Sequence, residues 1–141
     1  MTAFEILKLT EAQIRRHCPA IKTVIAPSSI HEKGVVARLS VKKIKGANLR
    51  LFANKTVELR LALTGTAESQ KGLELATGAI EALDAYFGTH NLHLEDAEGR
   101  QIPNTRIRQS KSEDDALLDN PYETAIQEVY DERILSVQIG G

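Results

Sequence analysis

Lys55-Thr56-Val57-Glu58-Leu59-Arg60-Leu61-Ala62-Leu63 is the stretch whose reading decides the fold. Val57, Leu59, Leu61 and Leu63 alternate with Glu58, Arg60 and Ala62. A period of two puts every second side chain on one face, so this is a strand with one face in a core and the other toward water. Upstream, residues 35–44 also read as a strand, and Gly46-Ala47-Asn48 supplies a turn. Segments 35–44 and 51–64 are therefore expected to pair antiparallel. Downstream, Gly65 to Gln70 reads as a loop, and residues 71–87 change period. Leu73, Ala76, Ile80, Leu83 and Phe87 recur at steps of three and four, an amphipathic helical stripe. Gly88 follows in the C′ position.

Outward from this hairpin and helix the signals weaken. Residues 3–17 read as a first helix, with Thr2 as N-cap and Glu5 three positions on, and a helix that restarts at Thr10 is an equally fair reading. Phe4, Leu7, Ile14 and Cys18 form its apolar stripe, and Pro19 ends it. Ile21 to Ala26 reads as a short β-branched strand stopped by Pro27, and residues 27–34 as a loop. Two short strands are expected at Leu92–Leu94 and Ile102–Ile107, around an Ala-Glu-Gly-Arg turn at 97–100. Residues 109–123 are polar and acidic and predict a mobile loop. Ile126 to Ile139 reads as one long closing strand. The expected fold class is α+β: a mostly antiparallel sheet of about four to six strands, with two main helices packed on it, in a single domain spanning 1–141.

Composition narrows the function. The chain has 141 residues, a net charge of −1, no Trp and one cysteine. A core must come from Leu, Ile, Val and Ala, and no intrachain disulfide is available. The near-neutral charge argues against a globally basic nucleic-acid binder while leaving a local patch open. No apolar run approaches the roughly 18 residues of a membrane span, and the first residues lack the basic and apolar regions of a signal peptide.

Candidate chemistry is sparse. His90, His93 and Glu95 lie close together, with positions 93 and 95 on one face of an extended segment, but no third metal ligand stands at a recognised spacing. Exposed turn residues are the plainer reading. His17 beside Cys18 suggests an activated thiol, yet neighbours on a helix point apart, and Cys18 lies on the apolar stripe as a small hydrophobe. Gly65-Thr66-Ala67 lacks the ending of a phosphate-binding loop. The sequence thus predicts no catalytic residue, no metal site, no cofactor and no enzymatic activity.

Charge is distributed unevenly. Lys42, Lys43, Lys45, Arg50, Lys55 and Arg60 fall within residues 42–60 beside a single acid, Glu58. Glu113, Asp114, Asp115, Asp119, Glu123, Glu128, Asp131 and Glu132 fall within 113–132 with no Lys or Arg. Two solvated regions are the plain reading. The functional one is head-to-tail self-assembly, in which the basic region of one copy meets the acidic region of the next. The candidate interface residues are Lys42, Lys43, Lys45, Arg50, Asp114, Asp115 and Asp119.

The order of elements resembles a known family. A leading helix runs to Ile21–Pro27. The hairpin carries Gly46-Ala47-Asn48-Leu49-Arg50 and Lys55-Thr56-Val57-Glu58-Leu59-Arg60-Leu61. The second helix carries Gly72-Leu73-Glu74-Leu75-Ala76 and Ile80-Glu81-Ala82-Leu83, and the closing strand Ala125-Ile126-Gln127-Glu128-Val129-Tyr130. Over roughly residues 3–139 this resembles the tail-terminator proteins of tailed bacteriophages, of the type found in Mu-like phages and prophages. The resemblance implies a structural subunit of a hexameric ring that caps the tail tube. Its partners would be copies of itself, the tail tube protein and the head connector, with no membrane and no specific nucleic acid. Its location would be the virion tail, and the host cytoplasm during assembly. A head–tail joining protein or another small tail or baseplate part is the nearest alternative. A small-molecule-binding or enzymatic α+β domain is the alternative of another class. A nucleic-acid binder using Lys42–Arg60 lacks interleaved aromatics beyond Phe52.

Overall fold

The computed structural model describes residues 1–28, 34–46, 55–110, 117–119 and 127–140. Among the described residues two helices, α1 (Ala3–His17) and α2 (Gln70–Phe87), accompany six strands. These are β1 (Thr23–Ile25), β2 (Val35–Lys45), β3 (Lys55–Ala67), β4 (Thr105–Ser110), β5 (Leu117–Asp119) and β6 (Gln127–Ile139). The sheet order is β1-β2-β3-β6-β4, with β5 also on β6. Among the described residues only the β1–β2 pair is parallel; β2–β3, β3–β6, β4–β6 and β5–β6 are antiparallel. The α+β class expected from the sequence is the class observed.

The alternation in β3 organises the interior. Val57, Leu59, Leu61 and Leu63 are buried, and each faces a β6 residue of the same parity: Val137, Leu135, Arg133 and Asp131. Both helices contribute to the same core, α1 through Ile6, Leu7 and Ile14 and α2 through Ala76, Ile80, Leu83 and Phe87. Fully burying an aliphatic side chain of this kind contributes about 1.5–3 kcal/mol. Leu83 is fully buried at the middle of the α2 stripe, so Leu83→Ala is expected to cost about 2–5 kcal/mol. Urea denaturation checks this; a loss below about 1 kcal/mol would mean that α2 does not pack as described.

The expected Thr2 cap is present, while Gly88 is the C-cap of α2 where the C′ position was expected. Thr2 Oγ1 accepts from the Glu5 N–H at 3.1 Å, and Ser69 Oγ accepts from the Gly72 N–H at 3.0 Å. Gly88 is the C-cap of α2 and stays in the right-handed helical region, donating its N–H to Asp84 O.

Several expectations are corrected. Phe4 is 59% exposed; the buried stripe of α1 includes Ile6, Thr10 and Gln13 instead, because its helical phase is set by residues 6, 10, 13 and 14. The strand expected at 21–26 contracts to Thr23–Ile25, and β3 continues through Gly65 to Ala67, where a loop was expected. Leu92–Leu94 is not a strand; the 97–100 turn is closed instead by a single bridge between Glu95 and Gln101. The 109–123 loop is interrupted: Gln109 and Ser110 finish β4, and Leu117–Asp119 form β5 on β6. Residues 111–116 and 120–123 lie outside the described residues, as do the 27–34 loop from 29 to 33 and the turn at 47–48.

Candidate functional site

The residues expected to carry assembly lie at the ends of the sheet. Lys42, Lys43 and Lys45 occupy the distal half of β2, and all three are exposed. A bulge between Val41 and Lys43 leaves Lys42 without a counterpart on β3. β1 covers β2 only over Ala37–Leu39, so among the described residues the outer edge of β2 beyond that point has no partner strand. Val41 and Ile44 share this end and are 39% and 52% exposed. Asp119 sits on β5 in register with Glu128 of β6, which pairs with Thr66. Lys45 pairs with Thr56. Ten residues of β3 thus separate the lysine end from the Asp119 end, about 33 Å at strand rise. Arg50, Asp114 and Asp115 lie outside the described residues.

The charge split seen along the chain is partly undone in space. Arg60 and Glu132, one from each region, pair across β3 and β6 at 2.9 Å. Lys45 pairs with Glu58 at 2.8 Å. The hydrogen bond from Lys45 lowers the Glu58 carboxyl pKa against the opposing effect of desolvation, and the nearby charges of Lys45, Lys42 and Lys43 lower it further. Asp131 faces inward and pairs with Arg133, the first basic residue after the acidic run; both are buried. Among the described residues the basic charge of 42–60 without an acidic partner is therefore carried by Lys42, Lys43 and Lys55, and the exposed acid of β6 is Glu128.

His17, the His93 carbonyl and Glu95 serve α1, whereas His90 is exposed. Gln13 Nε2 donates to Tyr86 Oη at 2.8 Å and to His93 O at 2.9 Å, while Gln13 Oε1 accepts from the Glu95 N–H at 2.9 Å. Arg16 Nη1 donates to Glu95 Oε1 at 2.6 Å, and His17 Nε2 lies 2.8 Å from Glu95 Oε2. The His17 ring stacks on Tyr86 with centroids 4.7 Å apart. Burial pushes the Tyr86 hydroxyl pKa up, against the hydrogen bond from Gln13. His93 Nδ1 is 2.7 Å from Thr105 O. This cluster fastens α1 to the 93–97 segment; the Glu95 oxygens are occupied by the Arg16 and His17 side chains of α1. Sequence reasoning placed His93 and Glu95 together but missed Gln13, Arg16 and Tyr86. The signal was the polar Gln13 at a core-facing helical position. Cys18 is buried, and burial raises its thiol pKa, so His17 does not activate it. Among the described residues no group of three or more His, Cys, Asp or Glu is placed to hold a metal.

A cleft of about 300 Å³ lies between the α1–β1 connection, β3 and the start of α2, lined by Ala20, Ile21, Leu63, Ala67, Leu75 and Ala76 among others. It is largely apolar, with Lys22, Thr66 and Glu68 also in its lining. No described helix is long and apolar enough to cross a membrane. No protein-family model matches this sequence, and no curated protein matches it.

Proposed function

We propose that this chain is a structural subunit that assembles head-to-tail into a ring, as the resemblance to phage tail terminators implies, and that it caps a tail tube. The observation that carries the reading is the presence of two unlike surfaces about 33 Å apart on one sheet. One is the unpaired end of β2, with Val41 and Ile44 exposed among Lys42, Lys43 and Lys45. Val41 and Ile44 have the parity of the core row and Lys43 and Lys45 the opposite one, so this edge presents apolar side chains on one face and basic ones on the other. The other is the Asp119–Glu128 end, beside Tyr130, which is 41% exposed. Ring closure requires two different patches on each subunit, and these differ in charge and in position. The polar cluster around Glu95 is accounted for by fastening α1, which weakens the enzymatic alternative.

The test is mass in solution across protein concentration at low salt. A species of about six subunits should appear as concentration rises. Lys42→Glu/Lys43→Glu/Lys45→Glu should shift its appearance to at least tenfold higher concentration, since losing about 1.4 kcal/mol per contact is a factor of ten. Adding Asp114→Lys/Asp115→Lys should partly restore it. A mass distribution untouched by the triple reversal would remove charge complementarity as the organising contact. A protein monomeric at every concentration and unable to cap tail tubes would remove the terminator reading.

A further inference from the structure

The sheet has a second basic surface that the chain order hides. Lys45 of β2 is in register with Thr56 of β3, Thr56 with Gln138 of β6, and Gln138 with Arg106 of β4. One step along the sheet, Lys43 is in register with Glu58, Glu58 with Ser136, and Ser136 with Arg108. Residues directly opposite one another share a face. The intervening row, Ile44, Val57, Val137 and Ile107, has the other parity, and its last three members are buried in the core. The two cation-bearing rows therefore lie on the face away from the helices. Lys43, Lys45, Arg106 and Arg108 are all exposed. Among the described residues, Lys43, Arg106 and Arg108 make no ion pair; Arg106 only donates to Asn91 Oδ1 at 3.3 Å.

Distances follow from strand geometry. Three strand spacings separate Lys45 from Arg106 and Lys43 from Arg108, about 14 Å, and two residues along a strand separate the members of each column, about 7 Å. Between the columns the side chains are Thr56, Gln138, Ser136 and Glu58, of which Glu58 is neutralised by Lys45. A protein-binding surface has an apolar centre and few lysines; this centre is small and polar. Contacts to nucleic-acid phosphates come instead from Arg and Lys, helped by Ser, Thr and Gln. The 14 Å between the columns is comparable to the roughly 12 Å major groove of a duplex, so each column faces one of the two backbones that border it.

We propose that this face binds the phosphate backbone of double-stranded DNA without reading its sequence. No described aromatic stands in the two rows, so the single-strand stacking mode excluded from the sequence stays excluded. Lys43 and Lys45 belong to this face and to the proposed ring contact alike; the Arg106–Arg108 column lies on β4, across the sheet from the β2 edge, and separates the two readings.

The experiment is fluorescence anisotropy of a labelled 20-base-pair duplex of mixed sequence titrated with the full chain between 50 and 200 mM NaCl. About three phosphate contacts, from Lys43, Arg106 and Arg108, give a slope of log affinity against log salt near −2.7, and a dissociation constant of about 10⁻⁴–10⁻⁶ M. A second duplex of unrelated sequence should bind equally. Arg106→Gln/Arg108→Gln should weaken binding at 50 mM salt at least tenfold and bring the slope to about −0.9. Lys8→Gln/Lys71→Gln, exposed on the helices, should change neither. Thermal melting of both variants should match the parent, and the mass distribution of the Arg106/Arg108 variant should too, so failure here is distinguishable from failure of the ring. No anisotropy change at 50 mM salt overturns the proposal, as does equal loss in the two double variants. Equally tight binding of a labelled poly-glutamate chain of the same charge overturns the assignment to phosphate.

Discussion

Replacing Arg133 with methionine is expected to cost the fold about 3–5 kcal/mol. The guanidinium is fully buried on β6, at a position whose neighbours in the core are leucines. Its Nη1 donates to Asp84 Oδ1 on α2 at 2.6 Å and to Gln109 Oε1 on β4 at 3.1 Å; its Nη2 donates to Asp131. One side chain thus joins α2, β4 and β6. Arg133→Met leaves Asp84 with water to turn to, since its side chain is 43% exposed. Asp131 is 1% exposed and has no such recourse. The cost therefore lies mainly in a buried carboxylate that loses its Arg133 partner, and Asp131→Leu added to Arg133→Met should recover most of it. Urea midpoints of parent, single and double variants decide. A single variant within about 1 kcal/mol of the parent, or a double no better than the single, would contradict this account.

Gly65→Ala is expected to cost about 3 kcal/mol or more, from two additive causes. Gly65 has φ +144°, a region side chains rarely enter at a cost of about 1–3 kcal/mol. A Cβ there would stand 2.0 Å from the carbonyl oxygen of Gly34 and 2.9 Å from the Val35 Cα. Both are backbone atoms at the Val35–Gly65 start of the β2–β3 ladder, so relief requires unpairing strands. Gly78 of α2 makes the contrast. A Cβ there meets nothing within 4 Å, and Gly78→Ala should stabilise by about 0.5–1 kcal/mol. Thermal melting of the two variants should move in opposite directions; a Gly65→Ala protein that melts with the parent would show that the two strands do not approach as described.

The parts of this fold legible in the sequence are those where one periodicity acts alone. Val57 to Leu63 alternate without interruption, and Leu73 to Phe87 hold a helical step, so β3 and α2 could be placed with their buried faces. Ambiguity begins where a polar group takes a core position. Gln13 lies on the inner face of α1 because Tyr86, His93 and Glu95 satisfy it. None of those partners is within seventy residues, so Phe4 looked the better core residue. Asp131 and Arg133 occupy inward positions of β6 in the same way, and the acidic run 113–132 consequently overstated the free negative charge. The basic face was illegible for another reason. Arg106 and Arg108 join Lys43 and Lys45 only through the order β2-β3-β6-β4, which periodicity does not encode.

That strand order also bears on how the subunit is made. β3 pairs along all 13 of its residues with β6, and β4 and β5 have no other partner strand among the described residues. During synthesis the β2–β3 hairpin is thus complete some sixty residues before the strand that flanks it, and the interval leaves one edge of β3 and its row of leucines open to other chains. Pairings this distant along the chain are slow to form. A ribosome that stalls before residue 127 would release a chain with neither the Asp119–Glu128 end nor the Arg106–Arg108 column in place. Newly made copies would meet one another with correct surfaces only after β6 has closed the sheet.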